Sequence, residues 1–276
     1  MIAEIAKKPR KGSWGRRPPG PKRNTRRAPS GFSKAAKSDS TAPVSQDDTL
    51  RIIPLGGLGE IGKNMSVLEY KDDIIVIDAG FKFPDEDFLG VDYIIPNTEY
   101  LEKNRDRIRG VLFTHGHIDH IGGLTYLQEK LGNPDVYGAA LTRGLILKRH
   151  EEFVHLPKVK FHLVKDGDVV KLGDHFEVEF FHVNHNIPDD MALFIKTPAG
   201  NVVHTADFKF DHSPTNGKPI DIEHLRQLGD RGVTVLMSDS TGAEKEGHSI
   251  SEKTIMENLD LIFQESKQMI VCGTFS

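Results

Sequence analysis

Four potential metal ligands lie within six residues of one another: His115, His117, Asp119 and His120. Their segment, THGHIDH, directly follows the apolar run at 110–114, which is typical of a buried strand. Imidazole nitrogens and carboxylate oxygens suit zinc and related divalent ions. The first two histidines, two apart in an extended loop, can point to the same side, while the following Asp-His pair falls where the chain turns into a helix. The spacing disfavours a cluster of solvated loop histidines and predicts a site for two adjacent metal ions.

One loop cannot complete a two-metal site, so further ligands are expected at other strand ends. His185 lies just past a predicted strand at 176–183, and Asp207 lies just past one at 201–206. A carboxylate at that second position is suited to bridging two ions held ~3.5–4 Å apart. Two nearby competitors belong to the strands by alternation, and we interpret them as structural or supporting residues: His182 and His204.

Asp78 ends another predicted strand, in the segment IDAG. One interpretation is that its carboxylate accepts a hydrogen bond from a ligand imidazole and so orients the ring. The alternative is a simple turn former before Gly80. We favour the orienting role.

A literal G-x-G-x-x-G also occurs, at Gly57, Gly59 and Gly62, with an acidic residue about 20 positions later. A dinucleotide site needs a helix directly after these glycines, because the pyrophosphate sits on the N-terminus of that helix. Here the next residues are NMSVLEY, which are rich in strand formers. We therefore interpret the glycines as shaping a tight loop that lets the backbone approach a site closely.

The elements that must position these residues are strands interleaved with helices, which indicates an α/β layered domain. Helical patterns are predicted at 121–131, 140–152, 221–228 and 251–266. Strands are predicted at 51–55, in NMSVLEY and DIIVIDAG, and at 110–114, 160–164, 176–183, 191–197, 201–206, 233–238 and 268–273. The last strand includes Cys272. Since domains rarely stop as an apolar strand finishes, the chain is expected to be a fragment of a longer protein.

Charge is segregated along the 276 residues, although the net charge is only −4. Residues 1–50 carry twelve Lys and Arg against four Asp and Glu, a charge of +8, which leaves −12 for the rest. Residues 1–48 are predicted to be a disordered basic tail. One interpretation is a solvated tail without a specific role; the other is a sequence-independent contact with phosphate backbones.

Composition excludes several classes of protein. A single cysteine rules out an intrachain disulfide and a thiolate zinc cluster. No apolar run approaches the ~18 residues that a membrane span needs. The N-terminus lacks the apolar stretch of a secretory signal, so the cytoplasm is the default expectation.

Several segments in order resemble the ribonuclease J family of the metallo-β-lactamase superfamily, which are nucleases with a β-CASP domain. These segments are GGLGEIGKNM, FPDEDFLGVDYIIP, THGHIDH, VNHNIPD, HTADFKFD and LMSDST. The resemblance covers residues 50–276 and implies a metallo-β-lactamase αββα sandwich. We expect residues 49–276 to be the N-terminal part of that domain. The sandwich is expected to be incomplete, because the chain ends near the start of the β-CASP insertion.

The resemblance also implies two zinc ions, with Mg²⁺ or Mn²⁺ as alternatives. The first ion would be held by His115, His117, His185 and Asp207, and the second by Asp119, His120 and Asp207. In the family, a histidine beyond the insertion completes the second site, so that site is expected to be incomplete here. The sequence departs from the family at Ala206, usually Gly, and at Gly242, usually Asn; neither departure removes a ligand.

The expected reaction is hydrolysis of RNA phosphodiester bonds by a metal-activated water, with Asp119 and Asp207 as catalytic carboxylates. The resemblance implies 5′-to-3′ exonuclease and endonuclease activity in RNA maturation and decay. RNA is the expected partner, a homodimer or homotetramer stays open, and no membrane partner is expected. Because the acidic body is unusual for a nucleic-acid enzyme, two alternatives remain: a hydrolase of a small thioester, lactone or phosphoester, and an inactive fragment lacking the last ligand.

Overall fold

A computed structural model describes residues 48–85, 87–215 and 217–273. The predicted basic tail, except for its last residue, lies outside these described residues. Among them, no helix is both long and apolar enough to cross a membrane.

The first sheet has six strands, in the spatial order β1 to β6: β1 Arg51–Gly56, β2 Met65–Tyr70, β3 Asp73–Ile77, β4 Ile108–Leu112, β5 Asp135–Gly138 and β6 Lys160–Leu163. The pairs β1–β2 and β2–β3 are antiparallel, whereas β3 to β6 run parallel. Parallel strands need crossover connections, and helices provide them here.

The second sheet has five strands, in the spatial order β11-β10-β9-β8-β7: β7 Val169–Leu172, β8 Phe176–His182, β9 Met191–Thr197, β10 Gly200–His204 and β11 Val235–Met237. All pairs are antiparallel except β10–β11. The helices are α1 Glu99–Lys103, α2 Ile118–Ile121, α3 Leu124–Leu127, α4 Ala140–His150, α5 Ile222–Asp230 and α6 Glu252–Glu265, with a 3₁₀ turn at Arg105–Arg107.

The core explains why strand β3 reads as DIIVI, without polar alternation. Ile75 and Ile77 pack between the two sheets, against side chains of the second sheet such as Phe180. Ile74 and Val76 point to the opposite face and join a cluster formed with the helices. A strand covered on both faces is apolar throughout.

Helices cover the two outer faces of the paired sheets. Leu101 of α1, Leu124 of α3 and Ile146 of α4 belong to the cluster on the first sheet. Leu228 of α5 packs with Phe194 and other side chains of the second sheet. The resulting layer order is helix, sheet, sheet, helix, which is the αββα order that the resemblance predicts.

Two predicted elements are wrong. The helix expected at 121–131 is divided into α2 and α3 at Gly122 and Gly123, because the Gly123 amide donates to Ala79 outside the helix (2.7 Å). The strand expected at 268–273 does not form: none of the described strands pairs with it, and the side chains of Met269 and Val271 are about 90% exposed. Cys272 is accordingly exposed and not part of a strand.

Three elements were not predicted: α1, β5 and β7. The two strands have only four residues each, which is too short for a clear period-two pattern.

Candidate metal centre

The THGHIDH segment lies at the carboxyl end of β4, between the parallel neighbours β3 and β5. It leaves the strand in an extended conformation and enters α2 after His117, whose carbonyl accepts from the His120 amide (3.0 Å). The turn is packed closely against the end of β3. A Cβ added at Gly80 would lie 1.5 Å from the Asp119 carbonyl oxygen, so only glycine fits there.

Three of the predicted ligands form a first group: His115, His117 and His185. One ring nitrogen from each lies within 4.8 Å of the other two. The closest pair is Nε2 of His115 and Nδ1 of His117, 2.9 Å apart. The three imidazoles therefore direct nitrogen atoms at one common point.

A second group consists of His115, His120 and Asp207, again with ligand atoms within 4.8 Å of one another. Oδ2 of Asp207 lies 3.5 Å from Nε2 of His120 and 3.8 Å from Nε2 of His185. Asp207 thus stands between the two groups, the place at which a bridging carboxylate is expected. Asp119 belongs to neither group, but its Oδ2 lies 3.7 Å from Nε2 of His120.

The six predicted ligands come from both sheets and lie together at one end of the sandwich. Four follow β4 in the first sheet, whereas His185 follows β8 and Asp207 follows β10 in the second. Asn184 holds the last two connections together, because its carbonyl accepts from Lys209 and its side-chain oxygen accepts from Ile220 (2.7 Å each).

Asp78 makes the contact that the sequence predicts for it. Its Oδ2 lies 2.8 Å from Nδ1 of His120, and its Oδ1 accepts from the Thr114 amide (2.9 Å). It adopts a positive φ of 61°, an uncommon conformation for a residue with a side chain. The fixed carboxyl leaves Nε2 of His120 facing the group of ligands.

Three residues at the centre were missed by the sequence analysis: Asn64, Thr114 and Asp190. The Asn64 amide nitrogen lies 3.1 Å from Oδ2 of Asp119, and the Thr114 hydroxyl lies 3.0 Å from Nδ1 of His115. Asp190 is fully buried beside His115. The only available signal was membership of a longer motif: Asn64 ends GGLGEIGKN, and Thr114 begins THGHIDH.

Burial keeps most of the imidazoles neutral, as a metal ligand must be. It lowers the pKa of His115 well below the usual value, with help from the neighbouring histidines. It also lowers the pKa of His117, and that of His185 to about 4.

The carboxylates have the opposite effect on His120. Burial alone would lower its pKa, but Asp78 and Asp207 outweigh that effect and raise the pKa well above the usual value. In return, the contact with His120 overcomes burial and lowers the pKa of Asp207. For Asp190, burial outweighs the attraction of the nearby His120 and raises the pKa of its carboxyl well above the usual range.

These donors fit divalent cations. Nε2 of His115 and Nδ1 of His117 are 2.9 Å apart and can share at most one proton when both rings are neutral, so at least one lone pair there is free for a cation. The nitrogen-rich first group and the mixed second group both match the ligand preferences of zinc. The chemistry of the donors therefore fits metal ions at both groups.

A cleft of about 680 Å³ opens beside Asp119, His120 and Asp207. Its described lining includes five carboxylate residues and neither Lys nor Arg: Glu60, Asp78, Asp119, Asp207 and Asp239. One wall is the loop that carries Gly57, Gly59 and Gly62, all at positive φ. Strand β2, not a helix, follows these glycines, which excludes a dinucleotide fingerprint.

The two competing histidines belong to neither ligand group. Nε2 of His182 lies 2.9 Å from the Lys218 carbonyl, away from the other imidazoles. Nδ1 of His204 accepts from the Ala206 amide (3.2 Å) and helps to shape the turn before Asp207.

Comparison with known proteins agrees with this geometry. Residues 58–264 match the metallo-β-lactamase superfamily, and the chain belongs to that superfamily. Within it, the chain is 41% identical over 235 residues to ribonuclease J of Synechocystis sp., covering 85% of this chain and 37% of that protein. It is 43% identical over 230 residues to ribonuclease J of Helicobacter pylori, covering 83% and 33%. The resemblance to the ribonuclease J family is confirmed, and the chain spans less than half the length of these relatives.

A solved structure supports the fold alone. A protein of unknown function from Enterococcus faecalis V583 superposes with a TM-score of 0.57 at 19% identity, covering 78% of this chain and 57% of the other. Together with the superfamily match, this confirms the predicted α/β sandwich.

Proposed function

We propose that this chain carries the catalytic centre of a metal-dependent ribonuclease that hydrolyses phosphodiester bonds of RNA. The observation that carries the proposal is the convergence of six histidine and aspartate side chains from both sheets. The ribonuclease J relatives supply the substrate class. In this proposal, residues 49–276 form the N-terminal part of a metallo-β-lactamase domain.

Two zinc ions are the proposed cofactors, with Mg²⁺ or Mn²⁺ as alternatives. His115, His117 and His185 would hold the first, Asp119 and His120 the second, and Asp207 would contact both. When bound, such ions polarise phosphoryl oxygens and allow water to lose a proton near neutral pH.

The chain itself supplies orientation and proton acceptors. Asn64 donates to Asp119 and so holds its carboxylate toward the cleft. Asp78 fixes the ring of His120 through Nδ1. Asp119 and Asp207 are the proposed catalytic carboxylates: both line the cleft, where each can accept a proton from water.

The finer parts of the proposal follow the relatives and the sequence. The reaction would include both 5′-to-3′ exonucleolytic and endonucleolytic cleavage of RNA in the cytoplasm. A dimer or tetramer is compatible with this activity. One observation favours a second candidate: a cleft lined by carboxylates without Lys or Arg attracts a phosphate chain poorly, which would suit hydrolysis of a small thioester, lactone or phosphoester.

The test is hydrolysis of single-stranded RNA by the zinc-loaded protein and by two variants. His117→Ala and Asp207→Ala each remove a proposed ligand, so we expect cleavage to fall at least about 10³-fold, as for other groups essential to catalysis. His155→Ala, at an exposed position outside both ligand groups, is the control and should cleave normally.

Near-normal cleavage by either ligand variant would refute the ligand assignment. A parental protein that hydrolyses a small phosphodiester, thioester or lactone but not RNA would favour the second candidate. Less than one zinc per chain after loading would identify an inactive fragment.

A further inference from the structure

Asp190 is a buried carboxyl group that the proposed reaction does not use. It lies between β8 and β9, directly before Met191, and its side chain is 0% exposed. Neither of its carboxylate oxygens has a hydrogen-bond partner among the described residues. Burying a polar group without a partner is costly, so such a group calls for a specific explanation.

The surroundings of Asp190 point to His115. Oδ1 of Asp190 lies 3.7 Å from Nδ1 of His115, which is also fully buried. The backbone holds this arrangement, because the Met191 amide donates to the Thr114 carbonyl (3.0 Å) and the Val183 amide to the Asp190 carbonyl (3.3 Å). Asp190 is therefore fixed on the side of the His115 ring opposite to Nε2, the atom that faces His117.

A second aspartate–histidine pair at the same centre has the same orientation, but at hydrogen-bond distance instead of 3.7 Å. Asp78 lies 2.8 Å from Nδ1 of His120, and Nε2 of that ring faces Asp207. Each of the two most buried imidazoles of THGHIDH thus has an aspartate behind its Nδ1 atom and a ligand group before its Nε2 atom. A carboxylate that accepts from the second ring nitrogen fixes the tautomer of a ligand histidine and makes it a stronger base.

The Thr114 hydroxyl is the other polar group at Nδ1 of His115, at 3.0 Å. This hydroxyl has a single proton, and it also lies 3.0 and 3.2 Å from the oxygens of Asp78. If the proton goes to the Asp78 carboxylate, the hydroxyl accepts from Nδ1 of His115. It then helps to fix the tautomer but brings no negative charge to the ring.

We propose that Asp190 is a positioning residue for the metal centre, whose carboxylate stands behind His115, keeps the proton on Nδ1 and strengthens Nε2 as a ligand. This inference rests on the metal centre proposed above and not on RNA as the substrate. It assigns a role to a buried carboxyl group that has no hydrogen-bond partner among the described residues. It also predicts that Asp190 strengthens zinc binding but lowers the stability of the metal-free protein.

The experiment measures zinc affinity of the whole chain by competition with a chelator. Asp190→Asn keeps the shape of the side chain but cannot form a carboxylate, and Asp190→Ala removes the group. We expect zinc affinity to fall about tenfold to 100-fold in both, the usual effect of removing a residue that supports a ligand. The metal-free Asp190→Ala variant should melt at the same or a higher temperature than the metal-free parent, because an unpartnered buried carboxyl is gone.

Asp189→Asn is the matched control, one residue earlier. Asp189 accepts from the Leu141 amide (3.1 Å), and asparagine retains an acceptor oxygen, so zinc affinity should stay within twofold of the parent. Zinc affinity of Asp190→Asn within twofold of the parent, in a protein folded by circular dichroism, would overturn the inference. That result would not contradict the proposed ribonuclease activity. Conversely, a parental protein that binds zinc but does not cleave RNA would not contradict the role of Asp190.

Discussion

At the scale of single residues, the centre contains imidazoles whose pKa values are shifted in opposite directions, although the ring centres of His115 and His120 are only 4.0 Å apart. His185 is kept neutral by burial, with its pKa lowered to about 4, and the pKa of His115 is lowered as well. His120, between two carboxylates, has a raised pKa. A sequence shows that these residues are histidines, but only their surroundings decide which of them carry a proton.

This difference predicts how the stability of the metal-free protein depends on pH. Below pH 6.5, the unfolded chain protonates His115, His117 and His185 more readily than the folded protein does, because their folded pKa values are depressed. The free energy of unfolding should therefore fall as the pH decreases from 6.5 toward 4. His120 opposes this fall only near pH 6.5, where its unfolded form is not yet fully protonated. Asp190 offsets a further part, because its raised pKa lets the folded protein hold a proton at a pH where the unfolded chain does not. Three depressed imidazole pKa values outweigh these two effects.

Urea unfolding in the presence of a chelator measures this effect. In His185→Gln, the free energy of unfolding should fall less steeply between pH 6.5 and 4, because glutamine does not titrate. A free energy of unfolding that stays constant from pH 6.5 to 4 would contradict the assignment of neutral buried imidazoles.

At the scale of elements, the site depends on a close backbone contact between the end of β3 and the turn into α2. At Gly80, this contact leaves no space for a side chain. The end of β3 touches the turn into α2, where the Asn64 amide donates to the Asp119 carbonyl (3.0 Å) and the Gly80 amide donates to the Asn64 carbonyl (2.9 Å). Backbone hydrogen bonds at Asp119 and Asn64 thus join three elements: the β1–β2 loop, the end of β3 and α2.

Gly80→Ala should break this junction. The new methyl group would collide with the Asp119 carbonyl oxygen, and overpacking against rigid backbone should cost about 3 kcal/mol or more in the free energy of unfolding. We also expect loss of zinc from the second group, because Asp119 must move.

Gly144→Ala is the matched substitution in an open position. Gly144 is exposed within α4, and a Cβ there meets nothing within 4 Å. Alanine should raise the free energy of unfolding by about 1 kcal/mol, from its higher helix propensity. Urea unfolding compares the two variants; equal stability of both would refute the close approach at Gly80.

The elements that sequence could predict are those with a local signature. The DIIVI run predicts a strand buried on both faces, and THGHIDH at the end of a strand predicts a cluster of potential metal ligands. What failed depended on neighbours distant in the chain. The apolar residues at 268–273 suggest a strand, yet a strand forms only beside another strand, and none of the described strands pairs with this segment. Asp190 likewise lies in no recognisable sequence motif, because its proposed role depends on the His115 ring, which is distant in the chain.

At the scale of the whole molecule, the charges separate into a basic N-terminal segment and an acidic body. The cleft beside the proposed ligand groups is lined by carboxylates, so the proposed RNA substrate would have to gain affinity from charges elsewhere. The twelve Lys and Arg of residues 1–48 would be such a source within the chain. They are known from the sequence alone, since only Asp48 of this segment is described.

Deleting residues 1–48 should therefore weaken RNA binding and flatten its dependence on salt. The slope of log K against log salt concentration should decrease by about 0.7 for every phosphate of a single strand that the tail neutralises. Fluorescence anisotropy across a salt series measures this slope. A full-length variant with the twelve basic residues replaced by glutamine separates charge from length, and an unchanged slope would indicate a tail without a role in binding.

The division of the ligands between the two sheets has a consequence for maturation of the protein. Four of the proposed ligands belong to one half of the sandwich and two to the other, so a nascent chain whose halves have not yet docked cannot gather all six. Full metal capture must then come last, after the apolar interior has closed. Incompletely folded chains would then lack the proposed activity. Two bound metal ions would also slow unfolding, because they would connect the two halves of the sandwich.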